Sequence, residues 1–591
     1  MKFTLLLLSL LLCVTVVVSA GDEQRKKGVY EAPFTDPPVD YVAPVNPPAA
    51  PRWGTTNPAG GGGIYTTLSG FYDFQANGGS TRQIQVDPTT GAIHVAYMAS
   101  PDSLPPGGAH PARNVYYAYS SDGGTTWDTF GDVQVPGPPY RAGFPSVTMG
   151  GGVLATSPVI ANHNNAPGDP IITKLYADSP PGVGFFSDLG SPTPLGTPDQ
   201  PIWGSVASSM DGTLIMSASP NNAAAPFTLF YAGLLPDLFT WYPWTAYPGV
   251  TMIGAAAGRA PVQSNETGRV GIMFNNTNGT TGVYYLESTD NGATWPAAPD
   301  TLYDVVRVAG VDTFAAYVQS DVIYNGEEPL FAIAEYDSRV GTPSSPGIVF
   351  YSESSGFVKA VKFDSTLYVP ENNLPGGIVQ RFHQFSVGWP VLGMAGTTIG
   401  IAYQAFQTDT SVISGYNYSD IWYVKSEDNG LTWSTPINLT NTPLLDERYP
   451  SISKWNAPGE FNITYQEDTE PGAHAFADNA PTTRSYLVFN KVLFTSVEHE
   501  GTVPGAFHLE QNYPNPFNPS TKISFTVPQK SPVRLTVTNV LGEEVATLVN
   551  EVREAGTYEF SFSASSIPSG VYFYTLNAGE FVSTRKMIVL K

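Results

Sequence analysis

The chain has 591 residues, of which 13% are charged and 12% aromatic, with 58 glycines and 53 prolines. Its formal charge of −23 excludes a broad electrostatic fit to nucleic acid or anionic lipid, which requires clustered Lys and Arg. The 42% hydrophobic content argues against disorder over most of the length, and the scarcity of long helical periodicity points to many short strands joined by turns.

In chain order, residues 1–20 (MKFTLLLLSLLLCVTVVVSA) join Lys2 to an apolar run and small residues before Gly21. This pattern predicts a secretory signal cleaved after Ala20 and not a membrane span. Cys13, the single cysteine, lies inside it, so the exported chain is expected to hold together by burial without disulfides. Residues 21–63 are dense in proline and close on four glycines, the composition of an extended linker.

Residues 64–498 carry a long repeat. A turn glycine precedes or opens an apolar strand at Gly91, Gly152, Gly212, Gly268, Gly326, Gly396 and Gly459, with successive spacings of 61, 60, 56, 58, 70 and 63 residues. A Tyr- or Phe-rich strand follows in each unit: NVYYAYS, GVGFFSD, FTLFYAG, GVYYLES, GIVFYSE, DIWYVKS and SYLVFNK. Self-similarity at this period indicates a propeller or a solenoid, and several short antiparallel strands per unit suit a propeller blade. The expected fold is all-β, a seven-bladed (alternatively six-bladed) β-propeller. The last unit lacks a fourth strand, and the early stretch IYTTLSGFYDF (64–74) could supply it, leaving no free edge.

Three units continue into Ser-x-Asp-x-Gly-x-Thr-Trp: Asp122, Gly124 and Trp127; Asp290, Gly292 and Trp295; Asp428, Gly430 and Trp433. The carboxylate can accept backbone N–H bonds inside a tight turn, the glycine admits a conformation closed to residues with a Cβ, and the tryptophan buries a large ring. At these residues the chain resembles the Asp-box (BNR) repeat of sialidase-like propellers, with decayed copies at FFSDLGSPTP and YSESSGFVKA. The resemblance implies that the boxes are scaffolding, on the face opposite the ligand. It also implies arginines for a substrate carboxylate, a tyrosine with a carboxylate partner, and an acid. The candidates are Arg141, Arg259, Arg381 and Arg448, each just ahead of a first strand, with Asp337, Tyr465 and Glu467 on the ligand side. Arg259-Ala-Pro and Arg448-Tyr-Pro echo the family's Arg-Ile-Pro element without completing it. A guanidinium offers a carboxylate two parallel N–H donors, yet arginine before a strand equally suits an ion pair between neighbouring blades.

No His-Glu-x-x-His, nucleophile elbow or phosphate loop occurs, and the seven histidines have no metal spacing, so neither metal nor cofactor is expected. Residues 499–508 form a second linker. From Leu509 to Lys591, alternating runs such as VRLTVTNV and VYFYTLNAG describe a small Ig-like sandwich. NYPNPFNPST, NVLGEEVATLV, IPSGVYFYTLNAG and RKMIVLK resemble the type A C-terminal sorting domain of type IX secretion. That resemblance implies the secretion machinery as partner, a Gram-negative host of the Bacteroidetes kind, and an extracellular or outer-surface location without a transmembrane segment. The expected function is an exported glycan- or protein-binding propeller, with a sialidase-like exo-glycoside hydrolase as the alternative. The residues leave open whether it is an enzyme.

Overall fold

The computed structural model describes residues 63–590 except 76–81, 102, 104–109, 111, 136–140, 166–170, 197–198, 221–226, 253–261, 266, 276–281, 304–306, 310–311, 338–343, 370–385, 475–479, 495–506, 510, 513–514, 518–519, 529, 554–555, 565–566 and 580. All of them belong to the compact unit Arg52–Lys591; Met1–Pro51 is a separate unit. The expected signal and most of both linkers lie outside the described residues. Among the described residues there is no α-helix, only strands and one 3-10 turn at Gly152–Leu154.

Between Ile64 and Leu493 the described strands pair into seven sheets. The first runs from Ile84–Val86 to Asp128–Gln134, the second from Arg141–Met149 to Phe186–Gly190, and the third from Ser205–Ser208 to Trp241–Met252. The fourth runs from Val262–Ser264 to Asp300–Tyr303, the fifth from Arg307–Ala309 to Gly356–Val361, and the sixth from Val387–Ala395 to Ile437–Asn438. The seventh holds Asp446–Ile452, Glu460–Asp468 and Ser485–Leu493, and takes its outermost strand, Ile64–Gly70, from the start of the described chain. Leading strands of successive sheets touch one another, the fifth sheet doing so through its second strand, Asp312–Asn325, and the leading strand of the seventh returns to that of the first. No sheet could bury both faces alone; neighbouring sheets share apolar clusters, such as Leu175, Met216 and Trp244 between the second and third.

Six of the repeat glycines lie between a sheet's first strand and its second, and Gly326 lies between the second and third strands of the fifth sheet, each with positive φ, from +57° to +90°. That left-handed backbone is why glycine recurs there. Six of the seven aromatic runs are the strands expected. In the second unit the third strand is instead Ile172–Asp178, and GVGFFSD supplies the turn and the fourth strand, Phe186–Gly190. The aromatic signal misled because Thr173 and Lys174 dilute the true strand.

The repeated Ser-x-Asp-x-Gly-x-Thr-Trp segments are three copies of one turn. Ser120, Ser288 and Ser426 donate to the carboxylates of Asp122, Asp290 and Asp428 and accept the N–H of Gly124, Gly292 and Gly430. Each carboxylate also accepts the backbone N–H and the hydroxyl of Thr126, Thr294 or Thr432. The three glycines have φ between +81° and +89°, and an added Cβ would strike Phe489, Ile215 or Phe350 of the preceding sheet. Trp127, Trp295 and Trp433 pack on Phe489, Tyr231 and Phe350 with ring centroids 5.2–5.4 Å apart. The motif thus closes a hairpin and locks one sheet onto the sheet before it.

Beyond residue 507, a three-stranded and a four-stranded sheet bury one shared cluster that includes Phe525, Leu535, Tyr574 and Met587. The Asn-Pro segment ahead of them clasps the last strand: Asn515 Oδ1 accepts the Ile588 N–H at 2.9 Å, and Phe517 exchanges backbone bonds with Ile588 and Leu590.

Candidate functional site

In each antiparallel sheet, the start of the first strand, the end of the second and the start of the third share one end. The locked turns follow third strands and lie at the other end. The functional candidates therefore collect where Arg141 pairs with Asn165, and where Asp446, Glu447 and Arg448 pair with Asp468, Glu467 and Gln466.

An aromatic plug forms first. Phe144, Trp389 and Tyr449 each have positive φ, between +54° and +56°, each precedes a proline, and each sits at a break in register. A bulge re-aims the side chain it carries. Here three bulges gather the rings with Phe74 and Trp203, centroids 4.6–6.4 Å apart. The signal GFP, GWP and RYP was present in the sequence, where it was read only for its arginines.

Beside the plug lies a cationic group. Arg113, buried before a third strand, donates to Ala142 O at 3.2 Å, Tyr72 Oη at 3.0 Å and His163 Nε2 at 3.0 Å. Arg141, half-buried, donates to His110 O at 3.2 Å. Burial and the neighbouring Arg113 push the Arg141 guanidinium down to about 10, against the opposing influence of Tyr72. The His110 ring meets Tyr72 edge-on at 5.2 Å and His474 at 5.7 Å. Burial works against charge on His474, but Asp73 outweighs it and raises its affinity for a proton. Asp73 Oδ2 accepts both the His474 N–H and Nδ1, each at 2.7 Å.

An acidic group adjoins it. The registers Asp446–Asp468 and Glu447–Glu467 set like charges opposite each other, normally destabilising. Protons and one cation resolve the conflict. Burial and Asp420 hold the Glu447 carboxyl well above the carboxylate range, and burial lifts Asp468 to about 6. Arg448, 1% exposed, pairs with Asp446 Oδ2 at 2.7 Å and donates to Gly472 O.

The sequence candidates are thus divided. Arg141 faces the cationic group. Arg448 is consumed by Asp446 on its own strand and by the Gly472 carbonyl, both within the seventh sheet, and so makes neither an anion clamp nor an ion pair between neighbouring sheets. Tyr465 is fully buried in the apolar cluster of the sixth and seventh sheets, and Glu467 accepts the Tyr65 hydroxyl at 2.5 Å. Arg259, Arg381 and the side chain of Asp337 lie outside the described residues. Nothing in the sequence groups Tyr72, Arg113, His110, His163 and His474, because up to 401 positions separate partners such as Asp73 and His474, and the histidines taken by spacing alone read only as scattered. No group of three or more His, Cys, Asp or Glu placed to hold a metal occurs among the described residues.

Residues 511–590 match the secretion system C-terminal sorting domain. No curated protein matches the chain. Among solved structures, an ulvan lyase from a new family of polysaccharide lyase is similar at 10% identity, with 72% of this chain and 96% of that chain covered and a TM-score of 0.41. Polysaccharide lyase Uly1 is similar at 11% identity, covering 71% and 91%, with a TM-score of 0.38. An endo-arabinase from Bacteroides thetaiotaomicron is similar at 13% identity, covering 47% and 96%, with a TM-score of 0.28. The sorting domain marks the protein as secreted or attached to the outer surface through type IX secretion. No helix among the described residues is long and apolar enough to cross a membrane.

Proposed function

We propose that this protein is an exported, seven-bladed Asp-box propeller with an Ig-like sorting sandwich, and that it binds acidic extracellular glycans at the end opposite the Asp boxes. One observation carries the reading. Arg113 and Arg141 stand close enough to repel each other, with burial and Arg113 both lowering Arg141's proton affinity, although the chain as a whole is strongly acidic. A carboxylate or sulfate ester placed there would relieve the repulsion and accept charge-assisted hydrogen bonds. Tyr72 and Phe144, buried beneath the arginines, pack on the Arg113 guanidinium, and Trp203 packs on Phe144, so the cationic group is held on a rigid apolar base.

The test is a glycan array probed with the protein from Arg52 onward, comparing uronate, sialate and sulfated chains with neutral ones. The acidic glycans should be retained selectively. Arg141→Ala should weaken that retention at least tenfold, the scale of one lost charged hydrogen bond. Equal retention of neutral glycans would refute the reading.

A second reading, turnover of the bound sugar by a sialidase-like hydrolase, is favoured by Tyr72, whose hydroxyl accepts from Arg113 beside two imidazoles. Groups able to move a proton thus flank the anion site. Release of fluorophore from a sialoside, abolished by Tyr72→Phe, would establish it.

A further inference from the structure

The sorting domain carries two large apolar side chains that its own fold does not use. Val540 and Leu541 are 66% and 79% exposed at the tip of the hairpin joining Ser531–Thr538 to Glu544–Arg553. The tip is tightly built. Asn539 Oδ1 accepts the N–H groups of Leu541 at 2.9 Å and Glu543 at 3.0 Å, and Asn539 Nδ2 donates to Glu543 at 2.7 Å. The Gly542 N–H bonds back to Asn539 O and the Asn539 N–H to Glu543 O, with Gly542 at φ +81°. Arg534 and Glu544 brace the strands just behind at 2.8 Å.

A loop under no constraint would turn polar residues outward and leave its backbone to water. This one does the reverse, spending five local hydrogen bonds to hold two hydrophobic knobs in solvent. Rigid display lowers the entropy lost on binding, and an aliphatic anchor seated in a pocket can form the centre of an interface. The adjacent acids are already engaged, Glu543 by Asn539 and Glu544 by Arg534, so the tip offers shape and apolar surface more than charge. We propose that Val540 and Leu541 are the knob by which the sorting domain docks into an apolar pocket of the secretion machinery. This rests on the export reading, because residues 511–590 match a sorting domain and their receptor must be met on this surface.

The test is secretion of the full chain from a host with type IX secretion, measured as the fraction of protein outside the cell. Three chains are compared with the wild type: one lacking residues 507–591, Val540→Ser with Leu541→Ser, and Val582→Ser. Val582 is 62% exposed on the last strand, away from the tip. The truncated chain should stay inside, the double variant should fall at least fivefold with an unchanged melting temperature, and Val582→Ser should be exported normally. If the double variant melts lower, Leu541→Ser alone carries the comparison. Normal export of a stable tip variant, with the truncated chain retained, overturns the knob and leaves the export reading intact. Export of the truncated chain overturns both. A tip variant that is exported normally but has lost self-association on a sizing column assigns the knob to a second copy, against the proposal.

Discussion

At the scale of single residues, the candidate end is governed by the placing of protons. Asp468 is buried among Asp73, Thr483 and His474, and accepts the Thr483 hydroxyl at 2.5 Å and the Glu470 N–H at 3.2 Å. Burial raises it to about 6, with Asp73 adding to the rise and the hydrogen bonds opposing it. A group whose folded proton affinity exceeds its unfolded one binds more protons when folded. Its contribution to stability is therefore complete below the unfolded value, near 4, and is lost as pH rises through about 6. Asp468→Asn keeps an acceptor for both donors and cannot ionise. It should match the wild type at pH 4 and exceed it above pH 6 by a few kcal/mol. Melting temperatures of the two proteins at pH 4, 6 and 8 decide this; parallel curves would mean that Asp468 ionises in the fold without penalty.

At the scale of elements, a glycine can be required by its backbone alone or by its neighbour as well. Gly326 and Gly430 both have left-handed φ, +59° and +86°. An added Cβ at Gly326 would meet nothing within 4 Å, whereas at Gly430 it would run into the Phe350 ring. Gly326→Ala should cost about 1 kcal/mol, the conformational penalty alone. Gly430→Ala should cost about 3 kcal/mol or more, because an over-packed ring must move inside a dense core. Chemical denaturation of both variants checks the difference, and equal costs would show that the turn can retreat from Phe350. The same contrast explains what was legible in the sequence. Turn glycines and the box residues act within four or five positions of one another, so their spacing displays their chemistry. The fate of Glu467 depends on strands paired across a sheet, and the Tyr72–Arg113–His163 group depends on which sheets are adjacent. Neither relation leaves a local pattern. The second sheet's third strand failed for another reason: strand composition reports burial, and a strand with polar Thr173 and Lys174 near its start looks weaker than the aromatic turn beside it.

At the scale of the whole molecule, a ring of sheets needs something to hold its first member to its last. Ile64–Gly70 does so at the periphery by completing the seventh sheet. Arg82 does so at the centre. Buried and immediately ahead of the first sheet, it donates to Leu392 O of the sixth sheet and Ile452 O of the seventh, both at 3.0 Å, and pairs with Asp321 of the fifth at 2.7 Å. Asp321 also accepts the Leu392 N–H at 2.8 Å, so one ion pair joins four sheets. Burial raises the proton affinity of Asp321 while Arg82 restrains it. Arg82→Met would remove that restraint, orphan two carbonyls and leave a buried carboxylate without its cation, a loss of about 3–5 kcal/mol for a pair broken from one side. The unpaired Asp321 would then take up a proton on folding, so the deficit should widen as pH rises from 5 to 8. Adding Asp321→Asn to Arg82→Met should abolish that pH dependence and recover part of the stability, since no charge is left to bury. Denaturation of the single and double variants across this range tests the argument. A deficit independent of pH in the single variant would show that the carbonyl contacts, and not the ion pair, hold the ring at its centre.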